Sequence, residues 1–517
     1  MGGFSTTMAV MDDQAEFAET GTKKIHAQLS AGSDHMWQNT IGIDNETIIS
    51  TMGDRYVGKI AGTFDEFFFN QEGQPGTVVK KSYVATDEGK LILENDNPTA
   101  NTWYDSKDGG KRIIYEPYET HPWNHFSKTT TGHMLDFYDV AFADYKDGIT
   151  DIDSNNQIWM FKEGFEFLAL IGFFIFIVNF ASLLSEQKAF SKIRNSEERV
   201  LTVRELGFES SFARKLIYTL AMLFPAVIYS PVYAGNLHSN GMITLNYLSV
   251  VMLIFGIIGL VKKSENKNKA WNTGSILVII ASICLFVLTR FNVFKDSPIF
   301  QGPTVNRIVV WALICAAIAI FINVYGYLFR RDYEYGLTSY DYGLGAKVSS
   351  ILMSFVVAVI VSVVSFLILF LINKIFLTDF RLWTVAFKTF ETSHLLAALK
   401  YMPFFIIYYL VAGAGSVINS AGRTGWKSYL LAVLINVGGI TLWLILQYGK
   451  LFATGVAQYP NDALSGILLI ALVPTLAFAF INTKYLYDKN KNIYLPAFIN
   501  TIMLTIMTVA NTAIYFQ

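Results

Sequence analysis

The chain has 517 residues, a formal net charge of −1, 52% hydrophobic residues and only 16% charged ones. A soluble domain carries about 25% charged residues, so this composition excludes a protein that is soluble along its whole length. The near-neutral balance excludes a global basic field for nucleic acid. The only two cysteines, Cys284 and Cys315, both fall in apolar runs, which argues against a disulfide framework.

The first 160 residues are rich in Asp, Asn, Lys, Gly and Thr and read as a polar domain; residues 161–517 read as a membrane domain. Met1-Gly2-Gly3 leads into a run of small residues, Phe4 to Val10, that predicts a helix. Gly2 with Thr6 also fits the short, common N-myristoylation pattern. Lys24 to Ser30 reads as a short strand, and Arg55 to Ala61 as a buried strand ending at Gly62. Residues 77–84 and 90–94 are expected to pair as a hairpin, and Lys111 to Pro117 forms a further strand. Residues 128–145 predict a helix with Met134, Phe137, Tyr138 and Phe142 on one face. Strands separated by helices imply an α/β layer.

A spanning helix needs about 20 mostly apolar residues. Ten segments qualify: 164–184, 216–235, 243–261, 273–290, 307–329, 348–373, 395–419, 428–449, 464–483 and 495–515. The loops on one side of these spans hold nineteen Lys and Arg, against six on the other. By the positive-inside rule the richer side is cytoplasmic, which puts the polar domain and the C-terminus outside a cell membrane. A domain exported in this way needs a signal, and no charged-then-apolar segment precedes it. Within the spans, only Lys400 is a well-embedded charge and no Asp or Glu is expected to be buried, so a proton-coupled pathway lacks its usual groups. Asn179, Asn246, Asn323 and Asn436 are expected to bond between helices.

Three features carry chemistry, each past a strand or at a turn. They are Met1-Gly2-Gly3 ahead of a helix, Gly62-Thr63-Phe64-Asp65-Glu66 after the 55–61 strand, and Glu119 to Ser127, with His121 and His125, after the 111–117 strand. This order resembles the back half of the α/β-hydrolase family. There a nucleophile elbow joins strand to helix, the acid follows a later strand, and the histidine follows the last one. The resemblance covers about residues 1–145.

It implies a partial α/β fold (the back half of an α/β-hydrolase domain), followed by an all-α bundle of about ten transmembrane helices. It also implies roles. Asp65 orients His121, which takes the serine proton as general base, and the main-chain N–H of Met1 supplies half of the oxyanion hole. Met1-Gly2-Gly3 then stands as the second half of the elbow, with the nucleophilic serine just before Met1. A chain that begins inside the elbow explains the missing signal and the missing nucleophile together, and this 517-residue chain taken literally is expected to be inactive.

The rival assignments are plain. Glu66 is the fallback acid and His125 the alternative base; His133, within the closing helix, is structural. Ser5 lacks the Gly-x-Ser-x-Gly frame of a nucleophile. A metal held by His121 and His125, four apart, needs a helix, and Pro122 argues against one there. No metal or cofactor is therefore expected. The implied partners are a small-molecule or acyl substrate and the lipid bilayer. The alternative function is a membrane permease or scaffold whose soluble domain only binds, since ten spans exceed what an anchor requires.

Overall fold

The computed structural model describes residues 2–35, 41–66, 82–145, 152–194, 212–261, 269–295, 297–329 and 338–515. The chain divides into two compact units. One joins Met1–Lys162 with Leu444–Ile467, and the other joins Glu163–Trp443 with Leu468–Gln517.

The first unit is built on a four-stranded sheet. Its elements are α1 (Gly2–Thr20), β1 (Ala27–Ala31), α2 (Asn45–Ser50), β2 (Tyr56–Ile60), α3 (Asp87–Leu93), β3 (Tyr104–Asp105), β4 (Lys111–Tyr115) and α4 (Lys128–Ala141). The strand order is β1-β2-β4-β3; β1, β2 and β4 run parallel and β3 pairs antiparallel to β4. A parallel strand is covered on both faces, and β2 shows why its sequence reads as buried. Val57 and Ala61 join Ile48, Met52, Phe64, Tyr83, Ile92 and Ile114 on one side, with Leu451 and Ala457 from late in the chain. Ile60 joins Ile113, Tyr115, Phe137 and Ala141 on the other. Gly58 lets α4 approach: a Cβ there would lie 2.6 Å from the Phe137 ring. α1 covers the face opposite α4, with Gln28 Nε2 donating to Thr7 Oγ1 at 3.2 Å.

Two local expectations change. Residues 90–94 do not form a strand, because Thr86 caps α3 by accepting the Gly89 N–H, and Glu94 ends it in the left-handed region at φ 50°. The other arm of the expected hairpin, 77–81, lies outside the described residues, as does Met1. The Pro122 argument also fails. Pro122–Phe126 is a 3-10 helix with the proline at its start, where a missing N–H removes no hydrogen bond.

The second unit is helical. Among the described residues nine helices are long and apolar enough to cross a membrane, which makes this a multi-pass membrane protein. They include α5 (Trp159–Glu186), α8 (Asn240–Val261), α9 (Lys269–Arg290), α10 (Pro303–Phe329), α11 (Val348–Phe376), α12 (Thr392–Ser420), α13 (Gly425–Thr454) and α14 (Ala463–Asn490). One span is interrupted, as α6 (Phe212–Val227) and α7 (Tyr229–Ala234) meet at Ile228 between Pro225 and Pro231. The tenth expected span, 495–515, is the shorter α15 (Tyr494–Ala510), a 17-residue apolar helix buried on nearly all sides.

Small residues bring these helices together, as in α8 and α9, where a Cβ on Gly259 would lie 2.2 Å from Ser275 Oγ. Three of the four asparagines bond between helices. Asn246 donates to Thr289 Oγ1 at 3.2 Å, Asn323 Oδ1 accepts from Asn419 at 2.9 Å, and Asn436 donates to Ser416 Oγ at 2.7 Å. Asn179 bonds its own helix, at the Ile175 carbonyl. One acid is buried after all: Glu166 on α5, 3% exposed, accepts from Arg381 Nε at 3.0 Å and from Thr378 Oγ1. It sits near the start of its span, so sequence position alone did not mark it as embedded.

Candidate active site

The turn after β2 is laced to the segment after β4. Ala61 N–H donates to Tyr115 O at 2.8 Å, Thr63 N–H to Pro117 O at 2.8 Å and Phe64 N–H to Glu119 O at 3.0 Å. These bonds extend the parallel register beyond the last residues of both strands. They leave no room for a side chain at Gly62, whose Cβ would lie 2.6 Å from Glu119 O. The turn closes with Asp65 N–H on Gly62 O at 2.9 Å, which aims two adjacent carboxylates, Asp65 and Glu66, inward; both are 1% exposed.

His121 follows β4 and is the residue just ahead of the 3-10 turn Pro122–Phe126. Its ring Nδ1 lies 2.9 Å from Asp65 Oδ2, which leaves Nε2 for another partner. Its main-chain N–H donates to Glu66 Oε2 at 3.2 Å, and the other Glu66 oxygen accepts from Tyr448 Oη at 3.0 Å. Tyr448 belongs to the Leu444–Ile467 segment of this same unit. It lies 382 positions from Glu66, and nothing in the sequence signalled it.

The electrostatics follow from this packing. Burial opposes protonation of His121, but the hydrogen bond and charge of Asp65, with the further charge of Glu66, hold its imidazole above the ordinary value. Burial first, and then the neighbouring charge of Asp65, push Glu66 up to about 7. His125 packs edge-on against His121 with ring centroids 5.5 Å apart, and the hydrogen bond to Asp65 is made by His121. Burial and the charge of His121 lower His125. His133 stacks on Tyr115 at 4.4 Å, on α4.

The head of α1 reaches the same place. A Cβ on Gly3 would collide with Ser33 Oγ at 1.7 Å, so α1 starts tight against the turn after β1. On that turn Gly32, at φ +57°, lies so close to His121 that a Cβ would stand 3.1 Å from Nδ1. Gly3 and His121 thus flank one short turn, Ser30–Ser33. Met1, expected to donate to an oxyanion, precedes this head but lies outside the described residues. Ser5, one turn into α1, is exposed. A helix N-terminus carries unsatisfied N–H groups and a positive dipole end, which suit a developing negative charge.

The arrangement can orient an imidazole and stabilise it as a cation, with the head of α1 across the Ser30–Ser33 turn from it. Among the described residues no three His, Cys, Asp or Glu side chains gather as metal ligands would. Comparison with protein-family models, curated proteins and solved structures gives no match.

Proposed function

We propose that this protein is a membrane-embedded serine hydrolase of α/β-hydrolase type, cleaving an ester, thioester or amide through an acyl-enzyme. The observation that carries the reading is the pair of buried Asp65 and half-buried His121 at 2.9 Å, next to the head of α1. In a Ser-His-acid site the carboxylate fixes the tautomer and steadies the imidazolium, while the other ring nitrogen serves as base and then as acid. Parallel strands β1, β2 and β4, with the acid after β2 and the histidine after β4, support the same reading. The nucleophilic serine belongs at the head of α1, immediately ahead of Met1, with the Met1 N–H in the oxyanion hole.

The test is fluorophosphonate labelling of the protein expressed from its own coding frame, including any codons ahead of Met1. Labelling abolished by His121→Ala and retained by His125→Ala supports the assignment. Labelling indifferent to both, singly and together, overturns it.

A second reading, a permease or scaffold with a binding-only first unit, is favoured by the nine candidate spans. The residue encoded before Met1 separates the two: serine preceded by Gly-x fits the hydrolase, and any other residue fits binding or transport. In either reading the skewed Lys and Arg of the loops favour the extracytoplasmic side of a cell membrane for the first unit.

A further inference from the structure

Glu66 sits beside the acid of the proposed triad and bonds the main chain of the histidine, while Asp65 bonds its ring. The two Glu66 oxygens are each spoken for: Oε2 accepts the main-chain N–H of His121 at 3.2 Å, and Oε1 accepts Tyr448 Oη at 3.0 Å. A buried carboxylate one residue from another is an unfavourable placement, because the two like charges repel in a weakly screened site. An amide or an apolar residue would avoid that repulsion. Its geometry accounts for its presence, since it grips the backbone from which the imidazole projects and adds a second negative charge near the ring.

We infer that Glu66 and Tyr448 are positioning residues for His121: Glu66 anchors the histidine main chain, and Tyr448 fixes the Glu66 rotamer. The inference rests on the hydrolase reading for its purpose, but not for its measurement. The groups facing Glu66 are Asp65, His121 and Tyr448, and His125 packs edge-on against His121. With Glu66 titrating near neutrality, its charge is present when His121 acts as a base and fades as the pH falls.

The experiment reads the His121 ring directly. Carbethoxylation by diethylpyrocarbonate tracks the neutral imidazole, and mass spectrometry assigns it to His121 across a pH series in the full-length protein. Glu66→Gln keeps the bond from the His121 N–H on the amide oxygen and replaces the bond that Tyr448 donated by one from the amide nitrogen to Tyr448 Oη, while the charge is lost. The expected result is a His121 midpoint lower by about 1 unit and a curve reduced to a single titration. Tyr448→Phe shifts the midpoint the same way by less, because Glu66 then holds its proton to higher pH. In the Glu66→Gln background Tyr448→Phe has no further effect, the non-additivity expected of residues acting through one another. An unchanged midpoint in Glu66→Gln, or a Tyr448→Phe shift of equal size in both backgrounds, overturns the inference. Fluorophosphonate labelling run in parallel separates the two ideas. Shifts in the midpoint without any labelling remove the hydrolase reading and leave the positioning pair standing. Labelling with no shift removes the pair alone.

Discussion

Arg55 Nη2 lies 2.7 Å from Asp13 Oδ2, with the arginine side chain wholly buried and the aspartate nearly so. Asp13 also accepts the main-chain N–H groups of Lys24 and Ile25, at 2.9 and 3.0 Å, while Arg55 Nε donates to Ile25 O at 3.0 Å. One ion pair therefore ties α1, the entry to β1 and the residue before β2 into a single joint.

Removing one member of a buried pair leaves the other charge without compensation, at a cost of about 3–5 kcal/mol. Asp13→Ala is expected to destabilise the first unit by this order, measured by pulse proteolysis in detergent. Burial raises the Asp13 pKa, but the Arg55 bond and the two N–H bonds outweigh it and hold the carboxyl below its usual range. The sign follows: a depressed acid contributes stability above its unfolded pKa and loses it as the pH falls through the folded value. The gap between wild type and Asp13→Ala should be full at pH 7 and shrink below about pH 4.

If His121 is the proposed base it must be neutral to act, and its pKa is held above the ordinary 6.5 by the bond and charge of Asp65. Fluorophosphonate labelling should therefore rise with pH through a midpoint above that value. In Asp65→Asn the midpoint should drop, because burial then dominates, and the maximal rate should fall by about four orders of magnitude. The stability sign is opposite to that of Asp13. The His121 pair stabilises fully below about pH 6.5 and loses its contribution as the pH rises through the raised folded value. A midpoint unmoved by Asp65→Asn would separate the two residues functionally.

Gly62→Ala is expected to disable the site. The new methyl would stand 2.6 Å from Glu119 O and 3.2 Å from its carbonyl carbon, both main-chain atoms fixed by the sheet. Overpacking of this kind costs about 1–3 kcal/mol, and here it pries the Asp65 turn from the segment carrying His121. Gly164→Ala is the control: it lies in α5 with nothing within 4 Å of its added Cβ, so a neutral or slightly stabilising effect is expected. Thermal inactivation of labelling, compared between the two variants, checks this.

Orientation has a direct readout. In a background with Cys284 and Cys315 replaced by alanine, Ala100→Cys and Glu265→Cys are probed in intact cells with a membrane-impermeant maleimide. The first should label and the second should not. The reverse pattern would put the proposed substrate in the cytoplasm.

Much of this protein is written in local pattern. Apolar runs of about 20 residues identify membrane helices because lipid demands an unbroken apolar surface and a fully bonded backbone, whatever the neighbours are. The stretches 55–61 and 111–117 announce strands, and the carboxylates and histidines just past them stand out, because strand ends are where parallel sheets present side chains. Residues 90–94 misled, since a Thr86 cap and a left-handed Glu94 make a short helix from residues equally suited to a strand. What only the tertiary structure decided is convergence. His121 rather than His125 meets Asp65, fifty-six positions away, because the main-chain bonds from Ala61, Thr63 and Phe64 to the segment after β4 set the register of the two turns. Tyr448 reaches Glu66 from 382 positions away, on a helix whose sequence reads simply as a span. A contact between distant residues depends on the packing of everything between them, and no window of sequence contains that information.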